Sequence, residues 1–415
     1  MVERSEVRVG VTWSDMGWCW LDSRFLYTGL QVWARETNAD GGMFVAEAGR
    51  KLPVRLIQYN DESHPEVGLR AVRRLIEDDK VDVLVSSGSS EIQKEILPLS
   101  EAARIVNLNV AAPDSALFET TRYQLQCGPS LHGSMRSRPG FWKAHGISRV
   151  AVIHSCGPGW DAYAAPLKTV AEAEGGIEFA LWEEIPKATG RWFGQYGPFP
   201  DDFDGWSGVV DKLEAAKAEA VVLAFHAPAL MQVMREIRRR GLWWPYLEMV
   251  YSHALTRIGF GPPELLYQFH GGPGSPSTAI DSEINVGGTR AELSAKAQRH
   301  MAGVEPHLYA RTYTGPAIWA HLVRSAGSMQ SDAVIAEAHK LSGQIVTMEG
   351  VLEWLPSGDT VERGGDADGV YQIQRHPWTA ELCSVPVYPP AFAQAKPVFT
   401  HERYEARPAP WTGRW

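Results

Sequence analysis

The chain has 415 residues, a formal net charge of -9 and 44% hydrophobic residues, which is typical of a globular protein large enough for two domains. No basic block offsets the negative charge, which argues against a nucleic-acid or anionic-membrane partner. No run of 18 apolar residues occurs, so we expect no direct membrane insertion. The 4 cysteines are widely spaced with no CxxC pair, which argues against a zinc site and leaves their pairing open (Cys19, Cys127, Cys156 and Cys383).

Strands and helices alternate along the first third of the chain. Apolar runs predict strands, and apolar residues at helical spacing predict the helices between them. The first helix is closed by Gly41 and Gly42, which suit a helix C-terminus. The predicted strands cover 6–13, 52–61, 81–85 and 104–111, and the helices cover 23–42, 65–79 and a segment from about 90. This alternation favours a parallel sheet with right-handed crossovers.

The same pattern then begins again, which predicts a second α/β half without a long linker. The predicted strands are 149–155, 177–186, 220–226 and 246–252, with helices at 161–176 and 229–241. The last third is less regular, with two predicted helices, 313–328 and 331–343, followed by a hairpin with turn signals at 357–358 and 364–365. The proline-rich segment after residue 385 is expected to lie along the surface.

A serine-rich stretch, VDVLVSSGSSEIQKEILPLS at 81–100, joins a buried strand to a helix. Ligands of open parallel sheets bind beyond the carboxyl ends of the strands. Gly88 permits a tight turn, and Ser89 and Ser90 precede free helix amides that carry partial positive charge. This arrangement suits a carboxylate or another small acceptor group. The alternative is that each serine only caps the helix.

Motifs of common enzymes are absent from the sequence. VTWSDMGW follows the first strand in place of GxGxxG, and there is no GxxxxGK[ST], HExxH or GxSxG. The HSC triplet at 154–156 places a histidine near a thiol, but neighbouring strand residues face opposite sides of a sheet. We therefore predict a protein that is not an enzyme, with no cofactor and no metal.

The chain contains 16 tryptophans, an unusual number. Most tryptophans fill cores or cover surfaces, but those at strand-to-helix loops can line an apolar pocket. Those near predicted loops are Trp13, Trp18, Trp20, Trp160, Trp192, Trp206, Trp243 and Trp244.

The order and spacing of several segments resemble a known family. They are YTGLQVWARETNADGGM, GRKLPVRLIQYNDESHPEVGLRAVRRLI, KVDVLVSSGSS, GPPELLYQFHG, YARTYTGPAIWAHLVRSAGS and GVLEWLPSGD, spread over residues 6–375. Together they resemble the substrate-binding proteins of branched-chain amino-acid type ABC transporters, within the extracellular ligand-binding receptor family. No single segment is diagnostic.

The resemblance implies a type I periplasmic binding protein fold, in which two doubly wound α/β lobes are joined by a three-stranded hinge and close on a small ligand. We expect the first lobe to comprise 1–126 and 253–328, the second to comprise 127–252 and 329–385, and 386–415 to form a C-terminal tail. The implied partners are a small-molecule ligand and the membrane permease of an ABC transporter. The implied location is periplasmic or extracytoplasmic if a leader has been removed, and cytoplasmic if Met1 is the native start.

The resemblance also implies a set of ligand-binding residues. Ser89 and Ser90 match the serine position that holds a ligand carboxylate, and NVAAPD at 109–114 matches a second ligand loop. GPGWDAY, AFHAP and YSHAL match segments of the second lobe and the hinge. The expected ligand-binding residues are Trp18, Ser89, Ser90, Ala111, Ala112, Trp160, Tyr163, His226, Ser252 and His253.

Two departures from the family pattern bear on the ligand. Pro113 stands where the family usually has a threonine, and Ser252 with His253 stands where amino-acid binders commonly have an acid. A buried ammonium without a carboxylate partner is unfavourable by several kcal/mol. Asp114 is an alternative partner, although an aspartate beside proline is more often a turn former. With Trp18, Trp20 and Trp160 on loops, we expect an aromatic or otherwise apolar carboxylate, or an amide.

Two other classes of function stay open. A regulatory amide or amino-acid sensor has the same fold, and upstream DNA coding for a leader would argue against it. An α/β enzyme that uses His226 or His253 is a weaker alternative, and the absence of turnover with candidate substrates would remove it.

Overall fold

A computed structural model shows an α/β protein that divides into two compact units. The first comprises Met1–His132 and Pro273–Glu362, and the second comprises Gly133–Gly272 and Arg363–Trp415. The structure describes residues 4–85, 88–112, 114–128, 130, 135–187, 205–250, 265–271, 284–300, 310–361, 369–375, 380, 382–391 and 393–399.

The elements follow the chain in the predicted alternation. Up to residue 126 they are β1 Val7–Trp13, α1 Trp20–Ala39, β2 Met43–Val45, β3 Arg50–Leu52, β4 Val54–Asn60, α2 Pro65–Glu77, β5 Val83–Val85, α3 Ser90–Ala103, β6 Asn107–Asn109 and β7 Gln124–Gln126. Then come α4 Ser137–Ala144, β8 Arg149–Ser155, α5 Pro158–Glu174, β9 Glu178–Ile185, α6 Gly205–Ala216, β10 Ala220–Ala224, α7 Ala227–Arg239, β11 Tyr246–Met249 and β12 Phe269–His270. The remainder are α8 Arg290–His300, α9 Ala310–Ala326, α10 Ser331–Lys340, β13 Ile345–Thr347, β14 Gly350–Leu352, β15 Val370–Arg375 and β16 Leu382–Tyr388.

The main sheet of the first unit has 5 parallel strands in the order β4-β1-β5-β6-β7. Its centre is apolar because Val7, Val9 and Val11 of β1 share one covered face and all three residues of β5 are buried. The amphipathic α2 places Val72 and Leu75 in a cluster with Leu84, Ile92 and Ile96. Helices α2 and α3 therefore pack together against β5.

The sheet of the second unit has 7 strands in the order β16-β15-β12-β11-β10-β8-β9. β12 to β9 are parallel, whereas β15 and β16 run antiparallel at one edge. The core contains buried aromatic residues, with the rings of Tyr246 and Phe269 stacked 4.3 Å apart. The predicted architecture of two α/β lobes is confirmed.

The observed division of the chain differs from the expected boundaries, since the first crossing follows His132 instead of residue 126 and two longer stretches belong to the other unit. Residues 329–361 lie in the first unit, because α10 packs against α9 and the Trp354 indole N–H donates to the Gln126 carbonyl at 2.9 Å. β12, at 269–270, lies in the second unit because it pairs with β11 and β15. The chain passes between units at 132–133, 272–273 and 362–363. These positions fall outside the described residues, so the three-stranded hinge stays a prediction.

The C-terminal segment begins as an edge strand of the second unit and continues along it, close to the predicted course over the surface. β16 covers 382–388, and the Gln372 amide then pairs with the backbone of Val398 through two hydrogen bonds of 2.7 and 2.9 Å. The Phe399 ring stacks 5.6 Å from Phe269. Residues 382–391 and 393–399 therefore belong to the second unit.

All 4 cysteines are free thiols. Among the described residues, no helix has the length and apolar character needed to cross a membrane.

Candidate functional site

The two sheets share one strand order, which marks equivalent positions in the two units. The small β2–β3 hairpin is not part of either sheet and is left out of the count. In both sheets the strands then lie in the order second, first, third, fourth, fifth along the chain, which is β4-β1-β5-β6-β7 in the first unit and β9-β8-β10-β11-β12 in the second. Crossovers leave the sheet in opposite directions at the boundary between the first and third strands, and ligands of doubly wound sheets bind there. The candidate positions are the carboxyl ends of β1 and β5 in the first unit, and of β8 and β10 in the second.

A pocket lies at this position in the first unit. Its empty volume is about 310 Å³, part of which is open solvent. None of the described residues that line it is charged, and most are apolar, with three hydroxyl-bearing side chains besides Tyr27. They are Val11, Thr12, Trp13, Ser23, Tyr27, Leu30, Val85, Gly88, Val110 and Thr312.

Helix α1 forms one wall of the pocket because Ser23, Tyr27 and Leu30 recur at helical spacing on one face. The Tyr27 ring packs against Trp13 with ring centres 4.9 Å apart. Burial raises the pKa of Tyr27 to about 12, against a smaller opposing effect of its hydrogen bond with Gln31. The wall therefore presents an aromatic pair without charge near neutral pH.

The segment between β1 and α1 is held by hydrogen bonds to neighbouring loops. The Ser14 N–H donates to Ser23 Oγ at 2.8 Å, and the Ser14 hydroxyl donates to Asp61. Ser63 Oγ donates to the Met16 carbonyl at 2.8 Å. Trp18 lies half-buried in this segment, and the described lining residues of the pocket do not include it.

The two serines after β5 have different roles. Ser89 is the N-cap of α3, and its hydroxyl accepts from the Ile92 N–H at 3.2 Å and donates to Glu91 at 2.9 Å. Ser90 begins the helix and is 2% exposed, and its hydroxyl has no hydrogen-bond partner among the described residues. Ser89 is therefore the residue that caps the helix, and the Ser90 hydroxyl is available to bind a ligand.

The loop after β6 is fixed by an asparagine. Asn109 Oδ1 accepts from the backbone of Ala111 and Ala112 at 3.2 and 2.9 Å. Ala112 is buried and packs with Leu97, Leu117 and Phe118, whereas Val110 lines the pocket. Asp114 caps the short helix that follows by accepting from the Ala116 N–H at 3.0 Å, as expected of a turn former.

In the second unit, Trp160 and His226 lie together at the equivalent position. Trp160 is in the first turn of α5, just after β8, and His226 immediately precedes α7, just after β10. Their rings meet edge to face with centres 5.0 Å apart. The parallel pairing of β8 with β10 brings these two predicted residues into contact.

Three predicted residues cannot be placed. The side chain of Tyr163, and all of Ser252 and His253, lie outside the described residues. Ligand binding by the 10 predicted residues stays a prediction.

Sequence reasoning missed part of the pocket wall, notably Thr12, Ser23, Tyr27 and Thr312. A signal existed for Ser23 and Tyr27, since Ser23, Tyr27, Leu30 and Ala34 form a helical stripe. No local pattern pointed to Thr312, because it is far along the chain and reaches the pocket through α9. Within the described residues, no group of three or more His, Cys, Asp or Glu side chains is arranged to hold a metal ion.

Two α/β units whose sheets share one strand order define a protein of two doubly wound lobes. The chain belongs to the periplasmic binding protein family, whose model matches residues 6–364. The predicted resemblance to substrate-binding proteins of branched-chain amino-acid ABC transporters is confirmed. No curated protein shows significant sequence similarity to the chain.

Several solved structures share the fold at low sequence identity. A leucine-binding protein from Thermotoga maritima is 15% identical, with a TM-score of 0.69 over 93% of this chain and 99% of that one. A solute-binding protein from Rhodopseudomonas palustris, in complex with 3,4-dihydroxybenzoic acid, is 18% identical, with a TM-score of 0.71 over 95% and 98%. A branched-chain amino-acid binding protein from Streptococcus pneumoniae, in complex with isoleucine, is 14% identical, with a TM-score of 0.68 over 93% and 100%.

Proposed function

We propose that this protein is the solute-binding component of an ABC importer and that it captures an aromatic or otherwise apolar carboxylate. The observation that carries the proposal is the uncharged aromatic pocket at the end of β1 and β5. The α-ammonium group of an amino acid has no carboxylate partner among the described lining residues. An aromatic ring, in contrast, gains from burial beside Trp13 and Tyr27.

The ligand carboxylate is proposed to bind at the start of α3. Gly88 lines the pocket, and Ser90 follows two residues later at the first position of the helix. The first amides of a helix have no partner within it and carry partial positive charge, so they favour an anion. The unused Ser90 hydroxyl adds a donor, whereas the Ser89 hydroxyl is already engaged.

The second unit is proposed to contribute Trp160 and His226. Both follow the strands that flank its own sheet-end position. An indole and an imidazole offer an aromatic surface and a hydrogen-bonding nitrogen, which suit a ring and a polar substituent. In this proposal the lobes close on the ligand, and ligand contacts with both lobes stabilise the closed form.

The fold relatives support both an aromatic and an aliphatic ligand for this architecture, since one holds 3,4-dihydroxybenzoic acid and another holds isoleucine. We favour the aromatic acid because of the uncharged pocket wall. The partner would be a membrane permease, and the location would be extracytoplasmic.

A thermal-shift screen followed by calorimetry tests the proposal. The ligands are aromatic carboxylates, aliphatic amino acids, amides and short dicarboxylates. A ligand present at about 100 times its Kd stabilises the folded state by about 2.7 kcal/mol, enough to raise Tm by several degrees. We expect aromatic carboxylates to give this shift. Tight binding of aliphatic amino acids, with none of aromatic acids, would contradict the proposal.

The Ser90→Ala variant tests the carboxylate position. We expect it to weaken binding of an aromatic carboxylate about tenfold, the effect of losing one hydrogen bond to a charged group. The matched control is Ser100→Ala, because Ser100 is a buried serine of the same helix whose hydroxyl donates to the Leu97 carbonyl at 2.9 Å. Equal affinity of Ser90→Ala and wild type would place the carboxylate elsewhere.

A further inference from the structure

A buried threonine in the pocket has an unused hydroxyl. Thr12 is the second-last residue of β1, is 3% exposed and lines the pocket. Its Oγ1 has no hydrogen-bond partner among the described residues. Buried side-chain hydroxyls nearly always have a partner, because a hydroxyl taken from water without one is unfavourable.

Two other polar groups of the pocket wall are already engaged. Ser23 Oγ accepts from the Ser14 N–H at 2.8 Å. The Tyr27 hydroxyl is hydrogen-bonded to Gln31. Thr12 differs from both, since its hydroxyl has no partner among the described residues and it lines the pocket together with apolar residues such as Val85. Its hydrogen-bonding capacity therefore points to a bound group.

The character of that group follows from the pocket wall. A charged substituent would be left without a counter-charge among the described lining residues, so the group is uncharged. It must both fit beside aromatic rings and form a hydrogen bond with a hydroxyl. A hydroxyl substituent on an aromatic ring has these properties, because it can donate to and accept from Thr12 Oγ1.

We propose that Thr12 determines specificity for a ring hydroxyl on an aromatic carboxylate, with the ring packed near Trp13 and Tyr27. This inference rests on the proposed function. It adds that hydroxylated rings are preferred to unsubstituted ones. A site with a buried hydrogen-bonding group discriminates against an analogue that leaves this group unpaired.

Calorimetry with benzoate, 3-hydroxybenzoate and 4-hydroxybenzoate tests the inference. We expect wild type to bind at least one hydroxybenzoate about tenfold more tightly than benzoate. Thr12→Val has nearly the same shape without the hydroxyl, so it should lose the preference and bind the hydroxybenzoate no more tightly than benzoate. Thr12→Ser keeps the hydroxyl and should keep the preference.

The matched control is Thr347→Val, which removes a buried hydroxyl elsewhere in the first unit, where it donates to the Gly350 carbonyl at 3.2 Å. This variant should keep the preference for the hydroxybenzoate. Equal binding of all three acids by wild type, or a preference that survives in Thr12→Val, overturns the inference and leaves the proposed function intact. Failure of all three acids to bind wild type also overturns the inference, and the ligand screen described above then decides separately whether the proposed function stands.

Discussion

The Arg138 guanidinium and the Glu248 carboxylate form an ion pair 2.8 Å apart in the core of the second unit, and neither side chain has any exposed surface. Arg138 is in α4 and Glu248 is in β11, so the pair joins helix to sheet. The Tyr246 hydroxyl also donates to Glu248. Burial raises the pKa of Tyr246 well above its usual value, which keeps this donor protonated.

Removal of one partner of this pair should strongly destabilise the protein. Arg138→Met leaves the Glu248 charge buried without its cation, which is expected to lower the free energy of unfolding by about 3–5 kcal/mol. Urea unfolding monitored by tryptophan fluorescence measures the change. The control is the exposed pair between Arg149 and Glu178, where Glu178→Gln should cost about 1 kcal/mol or less. Similar losses in the two variants would show that burial does not decide the effect.

Substitutions of Ser89 and Ser90, after β5, should differ in their effect on stability as well as on ligand binding. Ser89→Ala removes the N-cap of α3 and should lower the free energy of unfolding by about 1 kcal/mol. Ser90→Ala removes a buried hydroxyl without a partner in the described structure, so stability should stay the same or rise. Chemical unfolding of both variants without ligand measures this. A larger loss of unfolding free energy for Ser90→Ala than for Ser89→Ala would contradict the assignment of Ser89 as the N-cap.

His226 should affect ligand binding more than folding. Its ring is half-buried, makes no capping hydrogen bond to α7 and meets Trp160 edge to face. We expect His226→Ala to weaken binding of an aromatic carboxylate about tenfold, the effect of one lost aromatic contact. Trp182→Phe is a suitable control, because Trp182 lies within β9 with its ring edge-on to Phe179 at 5.1 Å. Unchanged affinity in His226→Ala would remove this residue from the site.

The two glycines after α1 should differ in their tolerance of a side chain. At Gly42 the φ angle is +104° and an added Cβ would lie 2.2 Å from the Leu52 carbonyl oxygen, whereas at Gly41 φ is +87° and the nearest atom is 3.8 Å away. Gly41→Ala should lower the free energy of unfolding by about 1–2 kcal/mol through backbone strain alone. Gly42→Ala should lower it by about 2 kcal/mol more. Equal losses would mean that the loop shifts to relieve the contact.

Glu236 should make stability depend on pH. Hydrogen bonds from Arg239 and Arg240 lower the pKa of Glu236 from 4.5 to about 2. Because the folded-state pKa is the lower one, this stabilisation is present above about pH 4.5 and is lost as the pH falls towards about 2. Glu236→Gln should cost about 0.5–1 kcal/mol at pH 7, since the group is close to the surface.

The measurement is urea unfolding of wild type and Glu236→Gln at a series of pH values. The difference between the two proteins should shrink as the pH falls below about 4.5. A difference that stays constant down to the acid limit of the folded state would contradict the assignment.

The sequence by itself determined the alternation of strands and helices, because hydrophobic periodicity reflects which face of each element is buried. It placed β8 at 149–155 correctly, and it located Ser90, Trp160 and His226 at strand ends. The family resemblance came from the order of such segments. It did not distinguish Ser89 from Ser90, because the difference depends on which hydroxyl reaches the Ile92 N–H.

Only the tertiary structure decided which residues meet. Thr12, Tyr27 and Thr312 come together because the crossover of α1 and the packing of α9 converge at the end of β1, and pairing over such distances leaves no local pattern. The assignment of 329–361 to the first unit had the same origin, since it depends on the packing of α10 against α9. The sequence of α10 shows that one face is buried and does not show which helix covers it. Sequence periodicity records whether a face is buried, and the contacts of the folded chain decide what buries it.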